Sequence, residues 1–177
     1  MTAVERLLQR YRAQLALPWS GSLSPTERVW VAVYDPADER RLRAALPSFE
    51  LATRQAGWTW HALDLTAAFA EWMAAHPYRE AYFAEPELLA GSLSAFEEAL
   101  ALRVRQTLEA AEPRSVVGVV GAGSLYGLTR VSRLMERTSP ALRGRMLLFF
   151  PGRVEGHNYR MFGARDGWNY HSIPLTP

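Results

Sequence analysis

The chain has 177 residues, of which 49 % are hydrophobic and 21 % charged, which suits one domain with a buried core. It contains no cysteine, and all 20 of its basic residues are arginine, which excludes disulfides, thiol nucleophiles, a phosphate-loop lysine and Schiff-base catalysis. A net charge of +2 is too small to imply a nucleic-acid partner by itself.

In chain order, Thr2 and Glu5 have capping-box spacing at the head of an amphipathic helix carrying Val4, Leu7, Leu8, Tyr11 and Leu15, which Pro18 ends. A Ser/Gly/Pro-rich loop runs from Trp19 to Pro25, and Arg28 to Tyr34 reads as a strand. Asp35-Pro36 predicts a helix start, Pro47 a division of that helical region, and Gly57 its stop. Trp58 to Leu65 is a second strand, after which Thr66 is expected to cap a helix with Phe69, Trp72 and Met73. His76-Pro77 and Glu85-Pro86 interrupt an aromatic-rich helical stretch. Ser94 and Glu97 repeat the capping-box spacing before a helix reaching about Ala111.

Ser115 to Gly121 is a continuous apolar run, as expected of a buried central strand. The loop Ala122-Gly123-Ser124 feeds a helix with Leu125, Leu128, Val131, Leu134 and Met135. Met146 to Phe150 is a fourth buried strand, stopped by Pro151-Gly152. Segments around Tyr159 and Tyr170 flank Gly163 to Gly167, a hairpin with an Asp-Gly turn signal. Strands alternating with helices predict a single α/β domain over residues 1–177. Its mostly parallel central sheet has helices on both faces, Rossmann-like or P-loop-like without a Walker lysine, plus a C-terminal hairpin. The longest apolar runs are strand-length and no signal-like stretch opens the chain, so the expected address is the cytoplasm.

Four places could carry chemistry or recognition. Gly121, Gly123 and Ser124 follow a strand and precede a helix, a setting for anion binding. The third glycine of a dinucleotide fingerprint is Tyr126 here, and a tight turn with positive φ explains the glycines as well. Asp35 and Asp64 follow strands and could hold magnesium, or simply cap helices. His61, His76, His157 and His171 form no metal-binding pair, so no metal or other cofactor is expected. Arg130, Arg133 and Arg137 share a helix, with Arg143 and Arg145 close behind, and form a basic cluster or a solvated face. The block from Phe149 to Tyr170 suits an ordered loop or a recognition surface rich in Tyr, Trp and Arg.

The run LLFFPGRVEGHNYRMFGARDGWNYHSIPL (Leu147 to Leu175) resembles the C-terminal signature of BrxB-type proteins of BREX phage-defence systems. The preceding GVVGAGSLYGLTRVSRLMERTSPALRGRM is similar to that family's glycine turn and arginine-bearing helix. The family-like positions are Gly121, Gly123, Arg130, Ser132, Phe150, Pro151, Gly152, Asn158, Tyr159, Arg160, Asp166, Asn169 and Tyr170. The resemblance implies a component of a multi-protein anti-phage complex that contacts the phosphatase-like PglZ protein, with other BREX subunits as further partners and no catalytic residue to transfer. The expected function is therefore partner binding through Arg130, Arg133, Asn158, Tyr159, Arg160, Trp168 and Tyr170. The alternatives are a nucleotide sensor or metal-dependent phosphate-ester enzyme using the Gly121–Ser124 turn, and a DNA-binding accessory subunit.

Overall fold

In the computed structural model the described residues are 1–162 and 172–177, with the backbone of 164–169. The chain order is α1 (Ala3–Leu15), β1 (Val29–Tyr34), α2 (Glu39–Gln55), β2 (Thr59–Asp64), α3 (Ala68–Ala75) and α4 (Arg79–Ala84). It continues through α5 (Leu93–Ala110), β3 (Ser115–Val120), α6 (Val131–Thr138), β4 (Arg145–Pro151), β5 (Arg153–Glu155), β6 (Asn158–Met161), β7 (Ala164–Asn169) and β8 (Ile173–Leu175). Five strands form one sheet in the order β2-β3-β4-β1-β8, each neighbouring pair parallel, and β5-β6-β7 form a small antiparallel sheet. The expected α/β architecture with a C-terminal hairpin is what the chain adopts.

The apolar strands are buried on both faces because successive side chains alternate. Trp30, Ala32 and Tyr34 of β1, with Leu147 and Phe149 of β4, pack under α1 and α2. Val29, Val31, Val33, Met146, Leu148 and Phe150 point the other way, onto α5 and α6. Gly118, inside β3, gives room to the Trp60 indole of β2: a Cβ there would lie 2.1 Å from the ring.

Some local expectations hold and others do not. The Thr2–Glu5 capping box forms, with Glu5 N donating to Thr2 Oγ1 at 3.2 Å and Thr2 N to Glu5 at 2.6 Å. The second box does not. α5 starts at Leu93 after a 3₁₀ stretch Pro86–Ser92, so Glu97 falls in its second turn and points inward. Pro47 does not divide α2, which runs unbroken from Glu39 to Gln55 with the proline on its exposed side. Thr66 does not cap α3, because Asp64 accepts both its N–H and its hydroxyl. The glycine turn leads into a four-residue 3₁₀ helix (Ala122–Leu125), and the α-helix begins only at Val131.

In the hairpin, the β6–β7 connection lies between Met161 and Ala164. The Asp166-Gly167 pair falls instead inside β7, where the register shifts opposite Tyr159 and Arg160. β8 was not anticipated. It is three residues at the sheet edge, where Pro174 needs no hydrogen-bonding partner beyond β1. The arginine cluster also divides, since β4 runs back across the sheet. Arg145 therefore lies at the amino edge, opposite the edge that carries Arg130. There it is buried against Trp19, its guanidinium 3.6 Å from the ring centre and donating to Ser20 O at 3.3 Å. Burial, aided by Arg28, brings its pKa down to about 10.

Candidate functional site

The carboxyl edge of a parallel sheet is where loops converge and ligands usually meet an α/β fold. Here the ends of β1 and β2 are tied by side chains. Tyr34 donates its hydroxyl to Glu39. Arg43 donates to Glu39 Oε1 at 2.7 Å, to Asp64 Oδ2 at 3.2 Å and to Thr66 Oγ1 at 2.7 Å. Asp64 Oδ1 accepts the Thr66 N–H at 2.9 Å. Burial works to raise the Asp64 pKa, but the Thr66 hydrogen bonds and the Arg43 charge outweigh it and hold the carboxyl below its usual value.

Both oxygens of Asp64 are thus engaged, and Asp35 caps the Pro36 turn by accepting Ala37 N–H at 2.9 Å. Among the described residues, no three acidic, histidine or cysteine side chains are grouped to hold a metal. The glycine turn rests on this network. Gly121 has φ +84°, and a Cβ there would lie 2.5 Å from Thr66 N. At Gly123 it would lie 3.2 Å from Pro151 Cγ. The close approach these glycines permit is that of protein against protein, while Ser124 is exposed.

Asp64 carries a pH prediction. Because the folded carboxyl ionises more readily than the unfolded one, its contribution is complete above about pH 4 and fades as pH falls through the lower folded-state pKa. Asp64→Asn is therefore expected to cost at most about 1 kcal/mol at neutral pH, given its exposure, and almost nothing in acid. Melting curves of both proteins against pH should converge at low pH, and a constant offset would assign the effect to shape instead of charge.

The other predicted residues divide into buried and exposed groups. Tyr159 is 1 % exposed, its ring 5.6 Å from Phe150 and its hydroxyl 2.8 Å from Ser172 Oγ. It anchors the small sheet to the core. Asn158 is exposed, and Arg160 pairs with Glu155 at 3.3 Å while its Nε has no hydrogen-bond partner among the described residues. The side chain of Trp168, and Tyr170 altogether, lie outside the described residues. Arg133 and Arg137 converge on Glu97 Oε1 at 3.2 and 3.1 Å, and Thr129 donates to Glu97 Oε2 at 2.6 Å. Arg130, just before α6, is exposed and has no ion pair among the described residues.

Sequence reasoning missed two residues that join these pieces. Tyr126, 53 % exposed, and Phe162, 50 % exposed, meet edge to face with ring centres 5.2 Å apart. Phe162 is the one non-glycine residue with positive φ (50°) among the described residues, a costly conformation for a bulky side chain. An aromatic standing where a glycine fingerprint wants glycine was the available signal for Tyr126. Phe162 gave none. The pair lies between a cleft of about 520 Å³ lined by Glu97, Tyr126, Arg130, Arg133 and Met161, and a crevice of about 400 Å³ lined by Asp35, Gly152, Arg160 and Phe162.

Fold and site define an α/β protein whose parallel sheet carries a small antiparallel sheet and an aromatic–arginine surface at its carboxyl edge. Residues 73–173, more than half of the chain, match the family described as BREX protein BrxB, and the chain belongs to that family. It is accordingly a component of BREX phage defence, in which it works alongside other subunits. The matched segment contains the glycine turn, α6, β5 and β6. No curated protein and no solved structure matches the chain. No helix among the described residues is long and apolar enough to cross a membrane.

Proposed function

We propose that this protein is a non-catalytic binding subunit of a cytoplasmic BREX complex, and that it holds a partner such as the PglZ phosphatase-like protein through its carboxyl-edge face. The observation that carries the proposal is the exposed Tyr126–Phe162 pair, flanked by Arg130 on one side and Arg160 on the other. Aromatic and arginine side chains dominate the energetic centres of protein interfaces. A half-exposed phenylalanine held at positive φ is surface kept at a cost to folding. The carboxylates nearby are engaged by Arg43, Thr66 and the arginines of α6, which leaves surface recognition as what the face offers.

The test is co-purification of the tagged chain with its BREX neighbours, read by mass spectrometry. A PglZ-type protein at one-to-one stoichiometry is expected. A chain that purifies without any BREX subunit would contradict the proposal.

A further inference from the structure

We propose that the cleft between the start of α5 and the start of α6 takes an acidic, apolar-anchored peptide segment of the partner, a reading that rests on the partner-binding role above. Its volume, about 520 Å³, is large enough to seat a side chain and its neighbours. Leu93, Leu128, Val131 and Met161 supply apolar walls from three separate parts of the chain. These walls stand beside the polar Ser94, Thr129 and Glu97, and they offer an inserted aliphatic or aromatic residue hydrocarbon to pack against.

The electrostatics set the charge of the flanking residues. Among the described residues Glu97 is the only carboxylate lining the cleft; it is 6 % exposed, and its oxygens are met by Thr129, Arg133 and Arg137. Its charge is already countered by two guanidiniums, so it offers little attraction to an incoming cation. Arg133 touches it by one nitrogen and is otherwise turned to solvent, and Arg130 lines the cleft exposed and without an ion pair among the described residues. The guanidiniums outnumber the carboxylate, so the mouth of the cleft is positive and favours Asp and Glu beside the anchor. Arginines confined to about two turns of one short helix do not make the extended track that a nucleic-acid backbone follows.

The test pans a phage-displayed library of random short peptides against the full chain and measures binding of the enriched peptides by fluorescence anisotropy. Enriched sequences are expected to combine Asp or Glu with Leu, Ile, Phe or Trp. Arg130→Glu should weaken them by at least about tenfold while leaving the melting temperature unchanged or raised, because an acid suits a helix N-terminus. Ser94→Trp, at an exposed position on the α5 wall, should block the cleft without touching a charge. Enrichment of basic or neutral peptides, or binding that survives both substitutions, overturns the proposal. Partner capture that survives both substitutions also overturns it, while leaving the binding-subunit role intact. Enrichment of acidic–apolar peptides by a chain that captures no BREX subunit supports the cleft and removes the role.

Discussion

Replacing Gly152 by alanine is expected to lower the melting temperature by about 10 °C, through a loss of about 3 kcal/mol. A Cβ at this position would lie 2.1 Å from the Arg160 carbonyl oxygen, 3.0 Å from its carbon and 2.8 Å from Phe150 Cε1. Backbone cannot swing aside as a flexible side chain would. β6 would have to lift from the end of β4, drawing Tyr159 out of the core it shares with Phe150. Gly152 N–H also donates to Tyr34 O at 2.9 Å, so the displacement would reach β1. Gly156 is the internal comparison. A Cβ there would meet nothing within 4 Å, and its φ of +61° limits the cost of alanine to about 1 kcal/mol. Thermal denaturation of the two variants separates the effects, and similar losses would contradict close packing at Gly152.

Phe162→Gly is expected to reduce partner capture by about thirtyfold, the loss of one interface anchor, while the melting temperature holds or rises. Glycine occupies positive φ without the penalty that phenylalanine carries, so relief of the backbone offsets the lost contact with Tyr126. The two readouts therefore move in opposite directions. A residue kept for the fold would lose stability and binding together. Tyr159→Ala shows that second pattern: truncating a ring 1 % exposed should cost about 3 to 5 kcal/mol, with any loss of capture following from unfolding.

The sheet was legible because β3 and β4 are uninterrupted apolar runs of strand length, and only a buried parallel sheet uses such runs on both faces. The two capping-box signatures show where local pattern stops. Thr2–Glu5 forms because Thr2 is extended (φ −74°, ψ 166°) and stands as the N-cap itself, which puts Glu5 three residues into the helix. Ser94–Glu97 fails because the 3₁₀ stretch from Pro86 delivers the chain to α5 two residues too soon, with Ser92 at the cap position. Glu97 is then free to meet arginines some 40 residues later, a contact no local spacing encodes. The same limit explains Arg145. Near Arg133 in sequence, it stands across the sheet from it, since each βα unit returns the chain to the opposite edge. The arginines on α6 and the β6 residues were visible as candidates. That Tyr159 turns inward, and that Tyr126 and Phe162 complete the outer face, depends on how β5–β6 folds back over Pro151 and Gly152.

The most direct test of the partner-binding face is amide hydrogen exchange on the chain, alone and in complex with the captured BREX subunit. Slowed exchange is predicted at Leu125 to Arg133 and Asn158 to Phe162, with no change at Pro18 to Arg28 on the opposite edge. Protection confined to Pro18 to Arg28, with Tyr126 and Phe162 exchanging as in the free chain, would contradict it.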